Sequence, residues 1–113
     1  MDQIRVYEKP TCTTCRKLAA LLTERGIDFE QVDYHVFPLS EDEIRALLAK
    51  AGVGPREVLR QREPEYADLS GDESDDELIA LMAKHPALLQ RPIVEVGDRA
   101  VLARPPERAL ELL

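Results

Sequence analysis

Ile4-Arg5-Val6-Tyr7-Glu8-Lys9-Pro10-Thr11-Cys12-Thr13-Thr14-Cys15-Arg16-Lys17-Leu18 is the stretch whose reading decides the fold. Ile4 to Tyr7 read as a short strand, and Glu8 to Thr11 as a loop around Lys9-Pro10-Thr11. From Cys12 onward the period changes. Cys15, Leu18, Ala19 and Leu22 recur at i, i+3, i+4 and i+7, which predicts a helix running to Arg25. Gly26 then supplies a C′ stop. Phe29 to Tyr34 read as a second strand. Strand, helix and strand thus fit within about 30 residues, the spacing of a right-handed parallel crossover.

Outward from this unit the chain turns helical. Ser40-Glu41-Asp42-Glu43 is a capping box, followed by Ile44, Leu47, Leu48 and Ala51 on one face. Gly52 to Pro55 break that helix, and Pro55 suits the first turn of a short helix over Arg56 to Gln61. Arg62 to Gly71 read as irregular. Ser74-Asp75-Asp76-Glu77 is a second capping box, opening a helix through His85 with Leu78, Leu81 and Met82 inward. The acidic run Asp72 to Glu77 reads as a solvated helix start, where carboxylates favour the positive dipole end. The last third changes again: strand Ile93 to Val96, a Gly97-Asp98 hairpin turn, and a returning strand Arg99 to Ala103. A short helix over Pro106 to Leu112 follows Pro105. The expectation is an α/β domain ordered β-α-β, helical insertion, β-β-α.

A chain of 113 residues is expected to form one domain, 1–113, with roughly 65% of its unfolded surface buried. The net charge of −7 argues against direct nucleic-acid or anionic-membrane partners, which require a basic face. No apolar run approaches the roughly 18 residues of a membrane span. The opening Met1-Asp2-Gln3-Ile4-Arg5 lacks the apolar core of a secretory signal, so a cytoplasmic location is expected. Thiols stay reduced there, which makes Cys12 and Cys15 better candidates for chemistry than for a staple.

The spacing of those two cysteines carries the strongest chemical signal. A thiol at a helix N-terminus faces free N–H groups and the positive dipole end, both of which favour thiolate. Cys12 is therefore read as the nucleophile. Cys15, one turn on and on the apolar face, is read as the resolving thiol. Two alternatives stand beside this: a pair of inert buried cysteines, and a zinc site that would have to recruit His35 and His85 without finger-like spacing. His85 reads better as a helix C-cap before Pro86, and His35 as a strand end without a partner. In a thioredoxin-type arrangement, Arg91-Pro92-Ile93 points to a cis proline facing the cysteine loop; the alternative is a trans proline at a strand start. Arg60, Arg91 and Arg104 are ordinary surface charges if taken singly. Converging on a thiolate they would form an oxyanion site, because guanidinium forks match tetrahedral oxyanions.

Several segments combine here: the Cys12 loop, Leu59-Arg60 followed by Glu63-Pro64-Glu65-Tyr66, His85-Pro86 leading into Gln90-Arg91-Pro92-Ile93-Val94, and Ala103-Arg104-Pro105. Together they resemble the ArsC family, the arsenate reductases of the glutathione/glutaredoxin-coupled type and relatives including Spx. The similarity runs over nearly the whole chain. It implies a thioredoxin-like fold with a helical insertion. It also implies that Cys12 attacks arsenate or a similar oxyanion held by Arg60, Arg91 and Arg104. No metal or organic cofactor would be bound, and glutathione, glutaredoxin or thioredoxin would be the external thiol donor. Two departures stand out. Reductases of this type often carry a His a few residues before the nucleophile, where this chain has Tyr7-Glu8-Lys9. Glu8 would oppose a nearby thiolate, while Lys9 and Arg16 would favour it. They also commonly have Ser where this chain has Cys15, so C-x-x-C leans toward Spx. The reductase is the favoured reading. A Spx-like redox regulator binding RNA polymerase and a general thiol-disulfide oxidoreductase are the alternatives.

Overall fold

Val6, Val94 and Val101 sit side by side at the centre of a four-stranded sheet and share one of its faces. A computed structural model of the chain describes residues 3–9, 11–61 and 63–113; Pro10 of the cysteine loop and Arg62 of the insertion lie outside the described residues. The strands are β1 (Ile4–Glu8), β2 (Glu30–Asp33), β3 (Ile93–Val96) and β4 (Arg99–Leu102), in the spatial order β2-β1-β3-β4. β1 and β2 are parallel, as the intervening helix requires, and the other pairs are antiparallel. With the helical insertion between β2 and β3, this is the expected β-α-β, β-β-α order of a thioredoxin-like fold.

The period of two along each strand divides the core into halves. Val6, Val94 and Val101 face helix α1 (Thr13–Glu24), which buries Leu18 and Leu22 against them, and the 3-10 helix Pro106–Leu112, which buries Ala109. Each such leucine contributes roughly 1.5–3 kcal/mol by leaving water. Tyr7, Ile93 and Ala100 face the other way, toward α2 (Glu41–Ala51) and α3 (Asp75–Lys84). α1 ends where Gly26 takes φ +68 and Ile27 N–H closes back on the Leu22 carbonyl at 3.0 Å. α2 carries the full expected capping box between Ser40 and Glu43. At α3 the Ser74 hydroxyl accepts from Glu77 N–H and donates to the Glu77 carboxylate, so the backbone half of the box is not made.

Several boundaries differ from the sequence reading. Glu8, expected in the loop, is the last residue of β1 and pairs in register with Asp33. β2 stops at Asp33, because Tyr34 turns inward and its hydroxyl donates to the Leu89 carbonyl at 2.6 Å. The helix expected over Arg56 to Gln61 is a 3-10 turn, Pro55–Val58. It ends there because Leu59 bridges Leu89, with Arg60 N–H on the Leu88 carbonyl and Gln90 N–H on the Val58 carbonyl, each at 2.7 Å. Pro64–Asp68, expected to be irregular, form another 3-10 turn with proline in its first turn. In α3, Ile79 is buried beside Leu78 and Met82 while Leu81 is only partly covered. Among the described residues no helix is long and apolar enough to cross a membrane.

Candidate active site

β1 delivers the chain to the sheet edge at Glu8, and α1 begins at Thr13, so the cysteine loop spans the strand-to-helix junction. Cys12 is the N-cap of α1, with extended backbone at φ −77 and ψ 125. Its N–H donates to the Lys9 carbonyl at 2.9 Å, and its carbonyl accepts the first helical N–H, from Arg16, at 3.0 Å. The Cys12 side chain is partly exposed, whereas Cys15 has 0% exposure; both thiols are free.

The two sulfurs stand in opposite electrostatic settings. Partial burial alone would push the Cys12 thiol up. The Cys15 thiol, the Cys15 N–H, the Arg91 guanidinium and the Thr14 N–H all favour the thiolate and carry it below the ordinary cysteine value. Burial pushes the Cys15 thiol well up. The Lys9 N–H opposes this, while the charges of Cys12 and Glu8 push it further up. Glu8 therefore bears on Cys15, not on the nucleophile that the sequence reading expected it to oppose. Of the cations weighed for Cys12, Arg91 is the one among its leading influences, and Lys9 acts on His35.

Arg91 is 6% exposed, and its Nε and Nη1 are buried without a hydrogen-bond partner among the described residues. A buried cation left this way is costly unless something else meets it. It precedes a cis peptide bond to Pro92, and a second cis bond joins Arg104 to Pro105. The Arg104 guanidinium donates to the Arg91 carbonyl at 2.8 Å, which ties the ends of the two X-Pro segments together. Arg60 is held by Glu63 at 3.1 Å and by Gln90 at 3.4 Å. Arg60 and Arg104 share a polar cleft of about 370 Å³ with Arg56, Gln61 and Gln90. The three arginines thus fall into two settings: Arg91 addresses Cys12, and Arg60 and Arg104 line the neighbouring cleft.

Sequence reasoning gave two neighbours no role at this site. Tyr34 lies close to Arg91, and burial pushes its phenol up while the guanidinium opposes that shift. His35 stacks on Tyr34 with ring centres 4.6 Å apart, its ring nitrogens buried and unpartnered among the described residues. Burial, then Arg91 and Lys9, hold its pKa below the ordinary histidine value. The signal for Glu8 was present: continuing the alternation of Ile4 and Val6 puts it on the face that α1 covers. Among the described residues no three of His, Cys, Asp and Glu are grouped as a metal site would need.

A model of the ArsC family matches residues 7–112 of the chain. The Escherichia coli K12 protein YfgD, whose function is uncharacterised, is 36% identical and is matched over 98% of this chain and 97% of its own length. An arsenate reductase of Escherichia coli is 35% identical, over 100% of this chain and 82% of its own. In three dimensions the fold is similar to that of an arsenate reductase from Vibrio cholerae, with a TM-score of 0.93, 35% identity, and coverage of 99% of this chain and 98% of that one.

Proposed function

Because this chain belongs to the ArsC family, we propose that it is an arsenate reductase using Cys12 as nucleophile and Cys15 as resolving thiol. One observation carries the reading: a cysteine at the N-cap of a helix, its thiolate favoured, beside a nine-tenths buried arginine whose Nε and Nη1 have no hydrogen-bond partner among the described residues. An oxyanion supplies what that guanidinium lacks, and a planar fork of N–H donors fits a tetrahedral anion.

In the proposed cycle arsenate enters with its oxygens on Arg91, Arg60 and Arg104. The Cys12 thiolate displaces water at arsenic and forms a sulfur–arsenic bond. Cys15 then attacks the Cys12 sulfur. The sulfur–arsenic pair stays on arsenic, which leaves as arsenite, and a Cys12–Cys15 disulfide remains. Glutathione with glutaredoxin, or thioredoxin, returns the disulfide to thiols in the cytoplasm. General disulfide exchange would use the same two cysteines but would leave the unpartnered Arg91 without a task.

The reading is tested by arsenate-dependent NADPH oxidation, coupled in one arm to glutathione, glutaredoxin and glutathione reductase, and in another to thioredoxin and its reductase. Turnover is expected in at least one arm and none with Cys12→Ser. Absence of turnover in both arms with the wild-type protein overturns the reading.

A further inference from the structure

Resolution demands something the two cysteines cannot supply. Cys15 attacks only as its proton leaves, yet its side chain is fully buried and its environment holds the thiol protonated. Bulk water does not reach it to take that proton. The question is which described group on the α1 side of the sheet can.

Glu8 is 3% exposed. It stands on the same face of the sheet as Ile4 and Val6, the face that α1 covers with Cys15, Leu18 and Leu22. Lys9 follows Glu8 directly, and its N–H favours the Cys15 thiolate. The charge of Glu8, at the end of β1, is felt at the Cys15 thiol. Among the described residues no hydrogen-bond donor and no cation answers the Glu8 carboxylate. Its charged neighbour across the β1–β2 pair is Asp33, a like charge already engaged by the His35 N–H at 3.0 Å. Arg91 directs its charge at Cys12, Tyr34 and His35 instead. A covered carboxylate without a partner at the end of a strand is expensive as structure. Burial, with Asp33, also pushes its carboxyl above the ordinary range, which narrows the gap to the thiol beside it.

We propose that Glu8 is the proton acceptor for Cys15 when that thiol resolves the adduct on Cys12. The inference rests on the reading of Cys15 as the resolving thiol. As Cys15 attacks, its proton passes to the Glu8 carboxylate, the S–S bond forms and the Cys12 sulfur–arsenic bond breaks. The two sulfurs are oxidised to the disulfide, and arsenic goes from the +5 to the +3 state. Glu8 then gives the proton up to the departing arsenite oxygen, so that the dihydrogen thioarsenate adduct and one thiol yield the disulfide and arsenous acid.

The probe is 5,5′-dithiobis(2-nitrobenzoate), which needs no arsenic. Cys12 attack releases one thionitrobenzoate, and displacement of the mixed disulfide by Cys15 releases a second. The wild-type rate of the second release is expected to rise through an inflection set by Glu8 and then level off. In Glu8→Gln the second release at neutral pH falls on the order of a hundredfold, loses that plateau and climbs with pH until Cys15 itself ionises. The first release is unchanged in this variant, which also reports that it is folded. Glu8→Asp keeps the inflection at a reduced rate. A second release in Glu8→Gln as fast as wild type, or faster, overturns the proposal, because Glu8 would then act only as a charge that keeps Cys15 protonated. A wild-type protein that releases one equivalent only overturns both the proposal and the resolving reading of Cys15.

Discussion

Two regions of this molecule bury charge in opposite ways. At Glu95, 8% exposed on the side of the sheet facing α2, everything is paired: the Tyr7 hydroxyl donates at 2.8 Å, the Lys50 ammonium at 2.5 Å, and Arg5 stands at 3.9 Å. Around the cysteine loop, by contrast, Arg91 Nε and Nη1 and both His35 ring nitrogens are buried without a hydrogen-bond partner among the described residues, and Glu8, 3% exposed, has no cation beside it there. Burial opposes ionisation at both carboxylates. Lys50 and Tyr7 reverse it at Glu95 and hold its carboxyl low, whereas nothing reverses it at Glu8. A paired buried charge maintains the fold. An unpaired one costs stability and is explained by a partner that arrives during the reaction.

The largest expected effect separates the regions by activity. Cys12→Ser abolishes arsenate reduction in both coupled assays, while Glu95→Gln and Lys50→Met leave kcat/KM within a few-fold of wild type. Arg91→Ala comes next. Losing a charge-assisted contact of roughly 1.5–3 kcal/mol lowers kcat/KM for arsenate by about ten- to a hundredfold. Arg91→Lys restores only part of it, since a point charge lacks the fork. The melting temperature of Arg91→Ala changes little, because Nε and Nη1 of the arginine have no hydrogen-bond partner to lose. Wild-type kinetics in Arg91→Ala would place the oxyanion site elsewhere.

Stability should show the reverse pattern. Glu95→Ala strands Lys50 and the Tyr7 hydroxyl and costs on the order of 1–3 kcal/mol by urea denaturation. The folded carboxyl at Glu95 titrates below its unfolded value. Its contribution is therefore present above the unfolded pKa and is lost as pH falls through the folded one. Glu8 has the opposite sign. Its folded carboxyl titrates above the unfolded value, so stability is lost as pH rises through the folded pKa. Glu8→Gln is expected to melt higher than wild type at pH 7, with the difference closing below about pH 4. Equal melting temperatures at both pH values would mean that Glu8 is answered after all.

The smallest effect is on nucleophile acidity. Iodoacetamide alkylation of Cys12, followed in Cys15→Ser, is expected to titrate below free cysteine. Arg91→Ala should raise the midpoint by a fraction of a unit, as should sulfate bound near Arg91. A midpoint at the free-cysteine value, unaltered by sulfate, would leave neither the helix end nor Arg91 acting on this thiol.

Local periodicity made the α/β order legible in the sequence. The i, i+3, i+4 face of α1, the Ser40 box and the Gly97-Asp98 turn each specify their element without help from afar. Elements held by distant partners were not legible. The 3-10 turn at Pro55–Val58 stops because Leu59 finds Leu89, thirty residues later in the chain. The Cys12–Cys15 pair and Arg91 were named from motif and resemblance, but nothing local reveals that Glu63 and Gln90 hold Arg60. Glu8 was legible in part: its parity with Val6 placed it under α1, while its reading as a loop residue hid that parity. Its lack of a partner is a property of the packed structure alone.

The most direct test of the account is a single turnover without any external thiol. Reduced wild-type protein is mixed with excess arsenate, and free thiols and arsenite are counted over time. Cys12 and Cys15 are expected to be lost together, with one arsenite formed for each disulfide, and Cys12→Ser and Arg91→Ala to form little or none. Thiols that stay free at saturating arsenate, or that oxidise without releasing arsenite, would contradict it.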